Sequence, residues 1–69
     1  MPLTMVQAGK VNKIKKITGK DESQRFLNNL GFIVGETVTV VSQFAGNMIL
    51  TVKETRVALD KDMAKRIIV

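Results

Sequence analysis

The sequence predicts a small, mainly β protein: a closed or half-closed barrel of five to six short strands with one inserted helix. Several short segments rich in β-branched residues are separated by turns that contain glycine. A single helix is predicted over residues 22–30, and Gly31 ends it abruptly. The chain has 69 residues. A chain of this length forms one domain, and it buries only about 60% of its unfolded surface, so the core must be small.

Two strands are expected before the helix, over residues 3–7 and 10–17. The second segment is irregular, because Val11, Ile14 and Ile17 are spaced by three and a regular strand does not place such residues on one face. A β-bulge would reconcile this spacing with a strand, and so would a strand that enters the core only at its ends.

The helix over residues 22–30 has a predicted start and a predicted end. Asp21 is expected to cap it, since a carboxylate suits the N-terminus of a helix. Gly31 suits the left-handed residue on which many helices end. Phe32 and Ile33 are then expected to cover the apolar face of the helix. This corner is the most specific local signal in the chain.

The second half of the sequence is typical of short strands joined by turns. In the segment 48–53, Met48, Leu50 and Val52 alternate with other residues and are expected to point one way. Asp60 is predicted to begin a short helical turn near 60–65. The other predicted strands cover residues 37–43, 56–59 and 67–69, with turns at 44–47 and 54–55.

The net charge of +5 at pH 7 comes entirely from the first twenty residues, which carry lysines and no acid. Such a cluster steers an acidic partner or a nucleic acid toward the protein. It also occurs as a solvated strand edge, where lysines prevent pairing with other strands, and this is the more common case for one local run. The lysines are Lys10, Lys13, Lys15, Lys16 and Lys20.

The composition excludes several classes of chemistry. The chain contains neither histidine nor cysteine, so it has no disulfide, no thiolate and no imidazole ligand or base. No glycine-rich phosphate loop is present. We interpret Asp60 and Asp62 as charges at the start of the helical turn, and the four methionines as core or gap-filling residues. We therefore expect no enzyme activity, no cofactor and no dedicated metal site.

Neither a membrane span nor a signal peptide is expected. No apolar run approaches the roughly 20 residues that cross a bilayer, and the first residues lack the basic start of a secretory signal. We expect the protein to remain in the cytoplasm, without inserting into a membrane.

Taken in order, the motifs resemble those of the FeoA family, small cytoplasmic proteins of bacterial ferrous iron transport. The resemblance covers residues 3–69 and depends on order and spacing more than on any single motif. The matching motifs are Leu3, the strand that ends near Ile17-Thr18-Gly19, the corner Leu27-x-x-Leu30-Gly31 with Gly35, Val57-Ala58-Leu59, and Ala64-x-x-Ile67-x-Val69. The sequence departs from the family where Phe26 stands in place of an arginine common in relatives, with Arg25 one residue earlier, and where Val34 replaces a proline.

This resemblance implies an SH3-like barrel over residues 1–69 and a partner, the membrane iron permease FeoB, whose cytoplasmic part contains a GTPase domain. A similar fold occurs as the C-terminal module of iron-dependent repressors, so the fold alone does not fix the function. Two alternatives follow: a small nucleic-acid-binding barrel, and a stand-alone regulatory domain. The chain has no Tyr or Trp and only three Phe, which makes nucleic-acid binding the weaker of these.

The helix 22–30 is the best candidate for a partner surface. Phe26 and Leu27 are adjacent and therefore about 100° apart around the helix, so burying both is difficult. We expect Phe26, Leu27 and Phe32 to supply an apolar patch, with Arg25 at its polar flank; the competing interpretation is that the apolar residues fill the core. Self-association through the same patch is also open. The lysines expected to steer the partner are Lys13, Lys15 and Lys16.

Overall fold

Six strands and two α-helices make up the protein in the computed structural model, which describes residues 1–69. A single turn of 3-10 helix, Leu3–Met5, precedes them. In chain order the elements are β1 (Val11–Lys13), β2 (Lys16–Ile17), α1 (Asp21–Asn29), β3 (Thr37–Phe44), β4 (Asn47–Val52), β5 (Thr55–Asp60), α2 (Lys61–Ala64) and β6 (Ile67–Ile68).

The strands form two antiparallel sheets. The larger has four strands in the order β1-β3-β4-β5, and the smaller pairs β2 with β6. Helix α1 is inserted between β2 and β3. The mainly β fold with one inserted helix, predicted from the sequence, is therefore confirmed.

The predicted strand over residues 10–17 is in fact two strands that belong to different sheets. The chain leaves the large sheet at Ile14, whose N–H donates to the carbonyl of Glu36 (2.9 Å), and joins the small sheet at Lys15, whose N–H donates to the carbonyl of Ile68 (2.8 Å). This division explains the spacing by three: Ile14 and Ile17 are buried, while Val11 is 68% exposed.

The strand predicted over residues 3–7 is wrong. Residues Leu3–Met5 instead form the 3-10 turn, in which the N–H of Met5 donates to the carbonyl of Pro2 (3.0 Å). Only Pro2 forms a β-bridge, to Ile68. The 3-10 turn buries Leu3 completely and leaves Met5 71% exposed, while Val6, directly after the turn, also packs against the core.

Two tight hairpins join the strands of the large sheet. The β3–β4 turn uses Ala45 and Gly46, at φ 50° and 83°, and the β4–β5 turn uses Lys53 and Glu54, at φ 50° and 64°. Two positive φ values define the turn type that matches the twist of paired strands. The sequence predicts the second turn at residues 54–55, one residue too late, because Lys53 and Glu54 are not residue types that usually form such a turn.

The core contains only apolar side chains, thirteen in number, with no buried polar residue among them. Met48, Leu50 and Val52 all point into it, as the alternation along β4 predicted. Neither α-helix has the length and apolar character that crossing a bilayer requires. The core residues are Leu3, Ile14, Ile17, Leu27, Phe32, Val38, Val40, Met48, Leu50, Val52, Leu59, Ala64 and Ile67.

Asp60 caps α2 as predicted, and its carboxylate accepts a hydrogen bond from the N–H of Met63 (2.8 Å). Asp62 lies two residues later and is exposed, in an ion pair with Lys65 at 3.5 Å. The two acids of this segment therefore have different structural roles. At the start of α1, by contrast, the expected cap is absent: Asp21 is already helical, and no side chain caps the helix.

We expect Asp60→Ala to lower the free energy of unfolding by about 1 kcal/mol, because it leaves a helix N–H without its acceptor. Asp62→Ala is the matched control, and removing its exposed ion pair should cost less than about 0.5 kcal/mol. Urea denaturation of the two variants would measure the difference. Equal losses would contradict the assigned capping role.

Candidate partner-binding surface

The C-terminus of α1 ends in a Schellman motif centred on Gly31. The N–H of Phe32 donates to the carbonyl of Leu27 (3.0 Å), and the N–H of Gly31 donates to the carbonyl of Asn28 (3.0 Å). Gly31 has φ +108°, a left-handed conformation that side chains with a Cβ rarely adopt. This motif usually brings together the apolar side chains at its two ends. Here these are Leu27 and Phe32, and both are completely buried.

The prediction that Leu27 and Phe32 contact a partner is therefore wrong for the folded monomer. Each has 0% exposure and belongs to the core, because the helix-terminating motif pairs them across Gly31. Phe26 and Arg25 remain accessible, and Phe26 is 46% exposed. Phe26 points elsewhere because adjacent helical residues are about 100° apart.

Two further apolar side chains are exposed just beyond the corner. Ile33 is 41% exposed and Val34 60%, whereas the sequence predicts that Ile33 covers the helix. Both lie in a turn closed by the N–H of Glu36, which donates to the carbonyl of Ile33 (2.9 Å), and by the N–H of Gly35, which donates to the carbonyl of Ile14 (2.8 Å). We use the name corner surface for Arg25, Phe26, Ile33 and Val34.

Sequence reasoning missed Ile33 and Val34 because it followed hydrophobicity rather than the direction of the backbone after Gly31. The residue that could have indicated the exposure of Ile33 and Val34 was Phe32. Once the residue after the left-handed glycine is assigned to the core, the next two residues must turn away from it.

The predicted steering lysines are exposed but do not lie on α1. Lys13 belongs to the four-stranded sheet and Lys16 to the two-stranded one, with Lys15 between them. The only ion pair between side chains within 4.0 Å joins Lys65 to Asp62, so these three lysines have no acidic side chain as a partner. No hydrogen bond or ion pair connects them to the corner surface.

The barrel and its inserted helix define the protein as a small SH3-like domain. The family model of the FeoA domain matches residues 1–69, and the chain belongs to the FeoA family. The resemblance seen in the motifs is thereby confirmed. No curated protein matches the sequence.

Solved structures with this fold include FeoA proteins and a repressor. An iron uptake regulatory protein (FeoA) superposes with a TM-score of 0.89 at 25% identity, covering 97% of this chain and 91% of the other. FeoA of Stenotrophomonas maltophilia, a prokaryotic SH3 domain protein complexed with zinc, gives 0.85 at 27% identity over 99% and 87%. A manganese-dependent transcriptional repressor gives 0.87 at 18% identity, with 97% of this chain covering 39% of that one, and this likeness concerns the fold alone.

The Stenotrophomonas protein is complexed with zinc, and the side chains of this protein can be compared with what a zinc site requires. No three His, Cys, Asp or Glu side chains come together in this protein. Since the chain also has no histidine or cysteine, its residues do not fit a zinc site with the usual nitrogen and sulfur ligands.

Alanine substitutions at Leu27 and Phe26, which are neighbours in α1, should distinguish a core residue from a surface residue. We expect Leu27→Ala to cost about 2–5 kcal/mol, because it leaves a cavity in a fully buried position. Phe26→Ala should cost less than about 1 kcal/mol, since nearly half of this side chain is already in solvent. Chemical denaturation measures both values. A loss for Phe26→Ala as large as that for Leu27→Ala would show that Phe26 is a core residue.

Proposed function

We propose that this protein is a non-catalytic accessory module of bacterial ferrous iron uptake that docks on the cytoplasmic, GTPase-containing part of the permease FeoB. Membership of the FeoA family supports the link to ferrous iron transport. The observation that carries the docking face is the exposure of Phe26 (46%) directly beside the fully buried Leu27. Ile33 and Val34, which follow the same helix-terminating corner in the chain, are also exposed, and exposed aromatic and aliphatic side chains of this kind are typical of protein contacts.

The corner surface supplies the affinity in this proposal. Phe26 is the apolar anchor, and Arg25, which makes no ion pair of its own, is free to meet an acidic group of the partner. The helix-terminating motif fixes the backbone beside this surface, since Leu27 and Phe32 are held in the core. Rigid anchors lose little conformational entropy on binding.

The lysines contribute to the rate of encounter. Lys13, Lys15 and Lys16 are exposed and have no acidic partner in the protein. Their charge accelerates association with an acidic surface, and salt screens this effect. The proposal places the protein in the cytoplasm, where the GTPase domain of its partner lies.

We expect Phe26→Ser to weaken docking at least tenfold, or by about 1.4 kcal/mol, because it removes the apolar anchor. The measurement is an NMR titration of the labelled protein with the soluble GTPase region of its cognate permease. Phe44→Ser is the matched control, since Phe44 is also an exposed phenylalanine (77%) but lies at the tip of the β3–β4 hairpin. Both variants must first be shown to fold.

Equal binding by the Phe26→Ser variant and the wild type would refute the docking face. Absence of binding by the wild type in every nucleotide state would refute direct docking on the GTPase region.

The proposed steering role of the lysines predicts an effect on the association rate rather than on the dissociation rate. The triple variant Lys13→Glu, Lys15→Glu, Lys16→Glu should lower the association rate about tenfold or more at low salt. Its dissociation rate should change little, because rim charges act mainly on encounter. Stopped-flow measurements at two ionic strengths would test this. A rate unaffected by the reversal would mean that the lysines serve only to keep the strand solvated.

A further inference from the structure

Strand β1 has a free hydrogen-bonding edge. It is the outermost strand of the four-stranded sheet and pairs only with β3. The N–H of Ile14 donates toward β3, to the carbonyl of Glu36. Because antiparallel strands bond through alternate residues, Asn12 also faces β3, while the N–H and C=O groups of Val11 and Lys13 point away from it. No element of the protein pairs with these four groups.

An open groove of about 390 Å³ runs beside this edge. Two of its apolar side chains are largely in solvent, Met1 at 62% and Met5 at 71% exposure. Apolar pockets next to unpaired backbone groups are what a sheet edge needs to bind an extended peptide as an added strand. The residues that line the groove are Met1, Met5, Val6, Gln7, Lys10 and Asn12.

The charge around this edge selects the occupant. Residues 1–20 contain five lysines and no acid, and Lys10 lines the groove while Lys13 lies on the edge itself. A second copy of β1 would bring together two segments that each carry five lysines and no acid, and this like charge opposes their association. An acidic strand would instead place carboxylates beside Lys13, and the positive charge of Lys10 would add to the attraction. The lysines thus oppose self-pairing and favour one kind of partner.

The other edge of the sheet, formed by β5, also has outward-pointing backbone groups but has no groove beside it. The N–H of Lys61 donates to the carbonyl of Gly46. By alternation, Arg56 and Ala58 are then the β5 residues whose backbone groups point outward. The groove residues include none from β5. The β5 edge is therefore a natural control within the same sheet.

We propose that the β1 edge binds an extended acidic segment of a partner protein as a fifth strand of the sheet. In this segment apolar residues alternate with acidic ones. The apolar side chains lie in the groove on the side of Asn12, and the acidic ones lie on the opposite face beside Lys13, since side chains alternate along a strand. This site is separate from the corner surface and does not depend on docking to the permease.

The test uses the full chain, labelled for NMR, and three capped heptapeptides in which glutamate alternates with valine, isoleucine or leucine. We expect saturable shifts at residues 5–13 with at least one peptide, and slower hydrogen exchange of the Val11 and Lys13 amides as they become bonded. The same peptides with lysine in place of glutamate should not bind. Raising the salt concentration should weaken binding, because the complementary charges are exposed.

Two substitutions separate edge binding from other modes. Val11→Pro removes an outward N–H and should weaken peptide binding about fivefold to tenfold, whereas Ala58→Pro, the matched change on the β5 edge, should leave it unchanged. Lys13→Glu keeps the backbone groups and should also weaken binding of the glutamate peptides, which guards against misfolding of the proline variant. Three outcomes would overturn the proposal: no saturable binding by any peptide, shifts confined to α1, or concentration-dependent shifts at residues 11–13 without peptide, which would assign the edge to a second copy.

Discussion

The left-handed turn at Gly31 is the constraint on which much of this structure depends. It allows the N–H of Phe32 to reach the carbonyl of Leu27, and so directs both side chains into the core. The backbone then makes the turn whose Glu36 and Gly35 bond to Ile14, the point at which the chain leaves one sheet for the other. One glycine conformation thereby links the end of α1 to the division between β1 and β2. It also determines which apolar residues of the corner remain outside.

The small size of the core governs the rest of the surface. Thirteen residues are buried in a chain whose composition is 45% hydrophobic, so many apolar side chains must remain exposed. Those most exposed lie in three regions: the corner surface, the β1 edge with its groove, and the β3–β4 hairpin, where Phe44 is 77% exposed. Scattered exposed apolar residues are ordinary in proteins. The first two regions differ because each lies beside unpaired positive charge.

Structural features set by neighbouring residues could be predicted from the sequence. Features that depend on pairing between distant segments of the chain could not. The helix stop at Gly31, the alternation along β4 and the cap at Asp60 all follow from short-range rules, and each is present. The division of residues 10–17 between two sheets depends on Glu36 and Ile68, which lie far away along the chain. For the candidate surface, periodicity identified the helix but not which of Phe26 and Leu27 faces the core. That choice depends on the three-dimensional path of the chain after Gly31.

The pairing of β2 with β6 has a consequence for the order of folding. Strands β3, β4 and β5 follow one another as hairpins. In β2, by contrast, Lys16 and Ile17 pair with Ile68 and Ile67 at the far end of the chain. During synthesis β2 is therefore made before its partner β6, and unpaired strand edges are prone to aggregate. Lys15 and Lys16, in and beside β2, carry like charge, and such charge opposes pairing of an exposed strand with other copies.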